Sequence, residues 1–254
     1  MTPLSGLLLA VAGFAGGAVN SAAGGGTLLV FPALLATGLP AVTANITASV
    51  GMLVGTLGGS IAYRGELGGQ RRRIRWFGVA SVIGGVSGAL LLLATPGDGF
   101  RAIVPYLLLT AVALLLLGPR LSAGLRARGR APTREDDVTW HGFVLLSLVT
   151  IYGSYFGAGL GVVLLAILGI VLDEDFQRIN ALKSVLLTVA NGAGVAVFIA
   201  RGHVSWGYAA VVGIAAFAGG TVGARAARRL PTAWLRATVA ILGTTVAIVL
   251  LIRR

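Results

Sequence analysis

The stretch Asn20-Ser21-Ala22-Ala23-Gly24-Gly25-Gly26 lies in the middle of an otherwise apolar run from Leu4 to Gly38. At about 35 residues the run is too long for one membrane crossing, which takes roughly 20. Three adjacent glycines are poor helix interior, each costing about 1 kcal/mol relative to alanine. The run therefore reads as two short helices joined by a Gly-rich turn. The segment from His141 to Leu172 reads the same way, interrupted by Gly153, Gly157, Gly159 and Gly161. Irregular backbone at membrane depth is tolerated only where protein buries it or a polar cavity lies beside it. Two buried helix breaks are thus expected, and they decide the fold.

Composition makes lipid the solvent. The 254-residue chain is 56% hydrophobic and only 11% charged, with mean hydropathy +0.92. A soluble domain carries about 25% charged residues. The net charge of +12 would suggest nucleic acid in a soluble protein. Here the basic residues sit in short loops between apolar runs, where they set orientation, and no nucleic-acid partner is expected. There is no cysteine, which excludes disulfides, thiol catalysis and Cys-ligated metals. Met1 to Leu9 has no basic region and the apolar run continues far beyond it, so no cleaved signal is expected. The 39 glycines divide between helix-packing stripes, such as Gly84 to Gly88, and the two breaks.

Six further runs read as plain spans: Thr43–Tyr63, Ile74–Ala94, Phe100–Gly118, Ile179–Ala200, Trp206–Ala224 and Trp234–Ile252. Trp206 and Trp234 stand where interfacial anchors belong. The hydrophilic segment Arg120 to Thr139, with five arginines followed by Glu135-Asp136-Asp137, reads as a central loop. The expected organisation is a first membrane repeat over 1–118, a linker over 119–139 and a second repeat over 140–254.

The halves resemble each other. Gly84-Gly85-Val86-Ser87-Gly88-Ala89 precedes Pro96, and Gly219-Gly220-Thr221-Val222-Gly223-Ala224 precedes Pro231, at an offset of 135. Asn45 and Asn180 share that offset, as do Gly24 with Gly159 and Gly26 with Gly161. Arg64-Gly65 and Arg201-Gly202 match at 137. Loop charge sets the sign of the repeat. If each break turns back on itself, the halves are inverted and 16 basic residues fall on one side against 4 on the other. If each broken region crosses once, the halves are parallel and the split is 13 to 7. The inverted arrangement is expected, with the central loop cytoplasmic and both termini outside a plasma-type inner membrane. The expected fold class is therefore all-α integral membrane protein: two inverted repeats, each a re-entrant hairpin plus three transmembrane helices. Paired broken helices in inverted repeats point to a secondary transporter with a midplane site.

Specific residues carry a family resemblance. Gly13-Phe14-Ala15-Gly16-Gly17-Ala18-Val19-Asn20, running into Gly24-Gly25-Gly26, Pro32 and Leu34, resembles the opening motif of the sulfite exporter TauE/SafE family. Asn180-Ala181-Leu182-Lys183 is similar to its second-half motif, preceded by Tyr152-Gly153 through Gly161. Arg201-Gly202 and Gly219 to Arg225 also fit, so the resemblance runs from about Gly6 to Pro231. It implies a multi-pass transporter of small, often sulfur-containing anions such as sulfite or organosulfonate-related compounds. In one departure, Ala44-Asn45-Ile46-Thr47 stands where the family commonly has Ala-Val-Gly-Thr.

Three features suit an anion. Helix starts at Gly24, Gly25, Gly26 and Thr27, and at Gly159 to Gly161, would present free N–H groups and a positive dipole end. The alternative role of those glycines is close packing. Lys183 on the first turns of an apolar helix would cost about 2.5–3.5 kcal/mol at mid-membrane, which marks it as an anion partner unless it snorkels. Asn20, Asn45, Thr47, Asn180 and Asn191 can donate to sulfonate-type oxygens, or bond neighbouring helices; Asn180 and Thr43 are also possible caps. His141 and His203 are too far apart for a metal motif. No phosphate loop or nucleophile motif is present, so neither enzyme activity nor a cofactor is expected. No Asp or Glu lies deep in a span, so the export of an anion is expected to need little dedicated coupling beyond the membrane potential. An anion channel or a membrane assembly subunit is the alternative reading.

Overall fold

The protein is described from a computed structural model, which covers residues 2–22, 24–126, 138–172, 174–226 and 233–252. Every regular element among them is helical. The ten α-helices are α1 (Pro3–Ala22), α2 (Thr27–Ala36), α3 (Ala41–Ala62), α4 (Arg71–Ala94), α5 (Gly97–Arg126), α6 (Trp140–Phe156), α7 (Leu160–Val171), α8 (Phe176–Arg201), α9 (Trp206–Ala226) and α10 (Ala233–Ile252). Six of them, α1, α3, α4, α5, α8 and α9, are long and apolar enough to cross a membrane. Arg128, Arg130, Arg134, Glu135 to Asp137, Asp173, Arg228, Arg229, Arg253 and Arg254 lie outside the described residues.

Both breaks fall where the glycines cluster. α1 gives way to α2 across Gly24 and Gly25, whose φ angles of 77° and 88° lie in the left-handed region that glycine alone enters freely. α6 ends at Gly157 (φ 77°) and α7 begins after Gly159 (φ 80°). Each break folds back. A Cβ placed on Gly16 would touch Val30, and one on Gly26 would lie 2.9 Å from the Asn20 Cβ, so α2 runs back along α1. A Cβ on Gly142 would lie 3.0 Å from Val171, while Gly153 faces Leu160, so α7 runs back along α6. With 10 and 12 residues, α2 and α7 extend only about 15–18 Å, half of a hydrocarbon core.

Two details differ from the sequence reading. α1 is 20 residues long, itself the length of a span, because Gly13, Gly16 and Gly17 do not interrupt it. They let it pack tightly instead: a Cβ on Gly13 would lie 2.9 Å from the Val212 carbonyl oxygen of α9, and one on Gly17 would collide with the Ala216 backbone. α5 continues as helix past Gly118 to Arg126.

The helices pair reciprocally. α1 packs on α9 and α6 on α4; α3 packs on α9 and α8 on α4; α2 contacts α10 and α7 contacts α5; α3 meets α8 and α5 meets α10. The glycine stripes serve these contacts, Gly219 and Gly223 against Phe14 and Ala18, Gly84 and Gly88 against Ser147 and Ile151. α3 and α8 run in opposite directions. Near the end of α3, Ser60 Oγ donates to the Ser184 carbonyl, about two turns into α8 (2.9 Å). Near its start, Thr47 Oγ1 accepts from the Ser205 N–H, beyond the end of α8 (3.1 Å). α5 and α10 also oppose each other: Arg101 and Leu250 line one cavity, while Gly243 meets Val112.

Candidate functional site

The two breaks meet each other. A Cβ on Gly24 would lie 2.5 Å from both the Gly161 carbonyl carbon and the Val162 nitrogen. The hairpins therefore touch backbone to backbone, and Gly24 and Gly161 are spent on that crossing. Gly26 abuts the Gly16 carbonyl, and Asn20 Oδ1 faces Gly161, where a Cβ would lie 3.8 Å away. Gly25 faces Leu28 and Leu115, and Gly159 faces Ala111. These two supply the turns but look onto apolar neighbours.

A polar group gathers one step further along the second break. The Cβ position of Gly157 lies 3.4 Å from Thr27 Cγ2, 3.5 Å from Ser49 Oγ and 3.8 Å from Asn45 Oδ1. The start of α2, the first turns of α3 and the end of α6 thus converge there. Asn45 is fully buried, and its Nδ2 donates to the Tyr155 carbonyl (3.0 Å), one of the last on α6. This bond fixes which way the amide points and leaves Oδ1 facing the break with no hydrogen-bond partner among the described residues. Asn180, the equivalent residue on α8, is also buried with Oδ1 unpartnered among them. Ser49 donates to the Asn45 carbonyl and Ser184 to the Asn180 carbonyl, at 2.9 and 2.8 Å. An unpartnered buried carbonyl is costly unless water or a ligand answers it.

Lys183, three residues after Asn180 and on the same face of α8, is 0% exposed. The protein itself encloses this charge. The remaining expected residues divide. Thr47 is buried, but its hydroxyl is engaged in holding the α8–α9 turn through Ser205. Asn180 is not the cap of α8; Asp175 is, accepting from the Gln177 N–H at 2.8 Å. Thr43 likewise lies inside α3, which Pro40 precedes.

Three groups escape the sequence reading. Ser49 and Ser184 are visible in hindsight as the repeated spacing Asn45…Ser49 and Asn180…Ser184. Arg73, fully buried, donates to Glu174 Oε1 (3.1 Å), while Arg178 Nε donates to Oε2 of the same carboxylate (2.7 Å). That cluster ties the start of α4 to the start of α8. Arg201 and His203 share a cavity at the opposite end of α8.

Among the described residues, ten α-helices, six of them span-length and apolar, with two buried breaks crossing between them, define a multi-pass helical membrane protein. The chain belongs to the sulfite exporter TauE/SafE family, whose model matches residues 9–250. It is 31% identical over 223 residues to "Probable membrane transporter protein ORF9" of Sinorhizobium, covering 85% of this chain and 81% of that protein. It is 28% identical over 228 residues to "Probable membrane transporter protein YfcA" of Escherichia coli K12, covering 87% and 80%. A Haemophilus influenzae relative, also named a probable membrane transporter protein, is 25% identical over 219 residues, covering 85% and 81%.

Proposed function

We propose that the chain is a secondary transporter that exports a small anion, of the sulfur oxyanion or organosulfonate class, through a midplane site where the two breaks cross. The observation that carries this reading is the gathering of buried polar groups beside that crossing: Asn45 Oδ1 and Ser49 Oγ at Gly157, next to the Thr27 methyl, with Asn20 Oδ1 at Gly161. Asn180 and Lys183 add an amide and a fixed positive charge from α8. The helix starts at Thr27 and Leu160 supply N–H groups to an anion, and Lys183 supplies the counter-charge. Catalysis has no part in this reading.

The halves are inverted repeats. The reciprocal helix pairing and the opposed directions of the equivalent helices α3 and α8, and α5 and α10, support this. The membrane is the inner one, with the starts of α4 and α8 at its cytoplasmic face. Arg64, Arg71, Arg72, Arg73, Arg75 and Arg178 gather at that end of the molecule, against Arg101 and Arg201 at the other. An inside-negative potential then drives a monovalent anion outward by about 2.3 kcal/mol per 100 mV.

Uptake into proteoliposomes of sulfite, methanesulfonate and a small carboxylate tests the reading, run with a valinomycin-imposed inside-positive potential or a pH gradient. The sulfur anions are expected to enter, faster under the potential, and Lys183→Ala to reduce the rate at least about tenfold, the loss of one charge-assisted contact. Unchanged uptake by that variant removes Lys183 from the site. Uptake that ignores the potential and follows only the pH gradient removes the driving force proposed.

A further inference from the structure

The two ends of the α3–α8 pair are built differently. Where α4 and α8 begin, one carboxylate answers two of the arginines. Glu174 takes both Arg73 and Arg178, the Arg178 guanidinium also donates to the Gly68 carbonyl (3.0 Å), and Gln70 bridges the Glu66 and Arg178 carbonyls. At the opposite end a cavity of about 600 Å³ opens between the start of α3, the end of α4 and the α8–α9 turn. Arg201 and His203 line it together with Thr43, Ile46, Leu90 and Leu93, and no carboxylate among the described residues does. Arg201 forms no ion pair among the described residues. The Ser205–Thr47 bond holds the turn that carries both basic side chains beside the cavity. The neighbouring cavity of about 550 Å³ contains both Asp98 and Arg101, so its charges balance; the Arg201 cavity, by contrast, presents one sign.

We infer that Arg201 and His203 form a second anion-binding site, a vestibule that takes a small oxyanion of the sulfonate, sulfite or phosphate class. The planar guanidinium fork matches two oxygens of such a group, and the imidazole adds an N–H donor. Arg201 and His203 are exposed, and the rest of the wall beside them, with Ile46, Leu90 and Leu93, is apolar. The cavity is of ordinary size for a small-molecule site. Ile46, at its floor, is the neighbour in sequence of Asn45, so the vestibule reaches the turn of α3 that carries the midplane amide. Binding here follows from the cavity alone; its role as the station before release rests on the transporter reading.

The test uses the purified full chain with methanesulfonate and sodium sulfite as probes and chloride as the control. Wild type, Arg201→Gln, His203→Gln and the double variant are compared by equilibrium binding. Transport KM is measured in phosphatidylcholine vesicles, and phosphorus is assayed in co-purifying lipid. Each single variant is expected to weaken probe binding about tenfold, the loss of one charge-assisted hydrogen bond, and to raise KM with maximal rate retained. Lys183→Ala should slow transport at least about tenfold yet retain the part of the probe binding that the Arg201→Gln and His203→Gln double variant lacks. If wild type binds no free probe but carries phospholipid phosphorus that the double variant lacks, the site stands with a lipid headgroup as its oxyanion. Probe binding by the double variant equal to wild type overturns the inference, as does a wild type that holds neither probe nor phospholipid. Binding that behaves as expected in a protein that transports nothing leaves the vestibule in place and removes the transporter reading instead.

Discussion

Asn45 shows how one side chain can be both structural and available. Its Nδ2 is committed to the Tyr155 carbonyl, and its Oδ1 faces the break with no partner among the described residues. Replacing it with alanine strands that carbonyl in a buried place, which costs about 1–3 kcal/mol. Asn45→Asp is expected to be worse, because a carboxylate oxygen then opposes the carbonyl and a charge is buried without a partner. Thermal unfolding in detergent should rank wild type above Asn45→Ala above Asn45→Asp. An aspartate variant as stable as wild type would mean that the amide does not donate to Tyr155. The amide stands out in the sequence as a polar residue in an apolar run. Its partner does not, since a backbone carbonyl 110 residues away leaves no local pattern. Thr47 is a polar residue of the same run whose oxygen also serves the fold, accepting from the Ser205 N–H in the α8–α9 turn.

Among the elements, the breaks are the most readable, because consecutive glycines in an overlong apolar run cannot sit inside one continuous span. The glycines of α1 are less so. Gly13, Gly16 and Gly17 weaken a helix by propensity, yet close packing of Gly13 and Gly17 on α9, and of Gly16 on Gly26 and Val30, keeps α1 continuous for 20 residues. The crossing itself is invisible in the sequence, since spacing along the chain does not say which glycine meets which. It makes a sharp distinction between neighbours. Gly24 and Gly25 both have left-handed backbone, so alanine at either costs about 1–2 kcal/mol. At Gly25 the new methyl would sit 3.5 Å from a Leu28 methyl, an ordinary contact. At Gly24 it would sit 2.5 Å from the Gly161 backbone, which belongs to the other hairpin and cannot move without it. Gly25→Ala should therefore yield folded protein with a modestly lower melting temperature. Gly24→Ala and Gly161→Ala should fail to give a monodisperse peak on fluorescence-detected size exclusion. Equal behaviour of Gly24→Ala and Gly25→Ala would show that the hairpins do not touch there.

For the whole molecule, the proposed inversion of the two halves draws on charge and on geometry by independent routes. The basic residues divide 16 to 4 only if the halves are inverted. Separately, Ser60 with Ser184 and Thr47 with Ser205 set α3 against α8 head to tail. The proposed orientation can be read chemically, because the chain has no cysteine to remove. A Cβ at Gly65, Gly97 or Gly207 meets nothing within 4 Å, so a single cysteine at each should be tolerated. Gly65 lies between α3 and α4, Gly97 opens α5, and Gly207 opens α9. In intact cells a membrane-impermeant maleimide should label Gly97→Cys and Gly207→Cys but not Gly65→Cys until the membrane is opened. Gly207 is the decisive position. With the halves parallel, the turn before α9 would face the cytoplasm together with Gly65, and both would be protected. Labelling of Gly97 and Gly207 from the same side, with Gly65 on the other, requires the second half to enter the membrane in the opposite sense from the first.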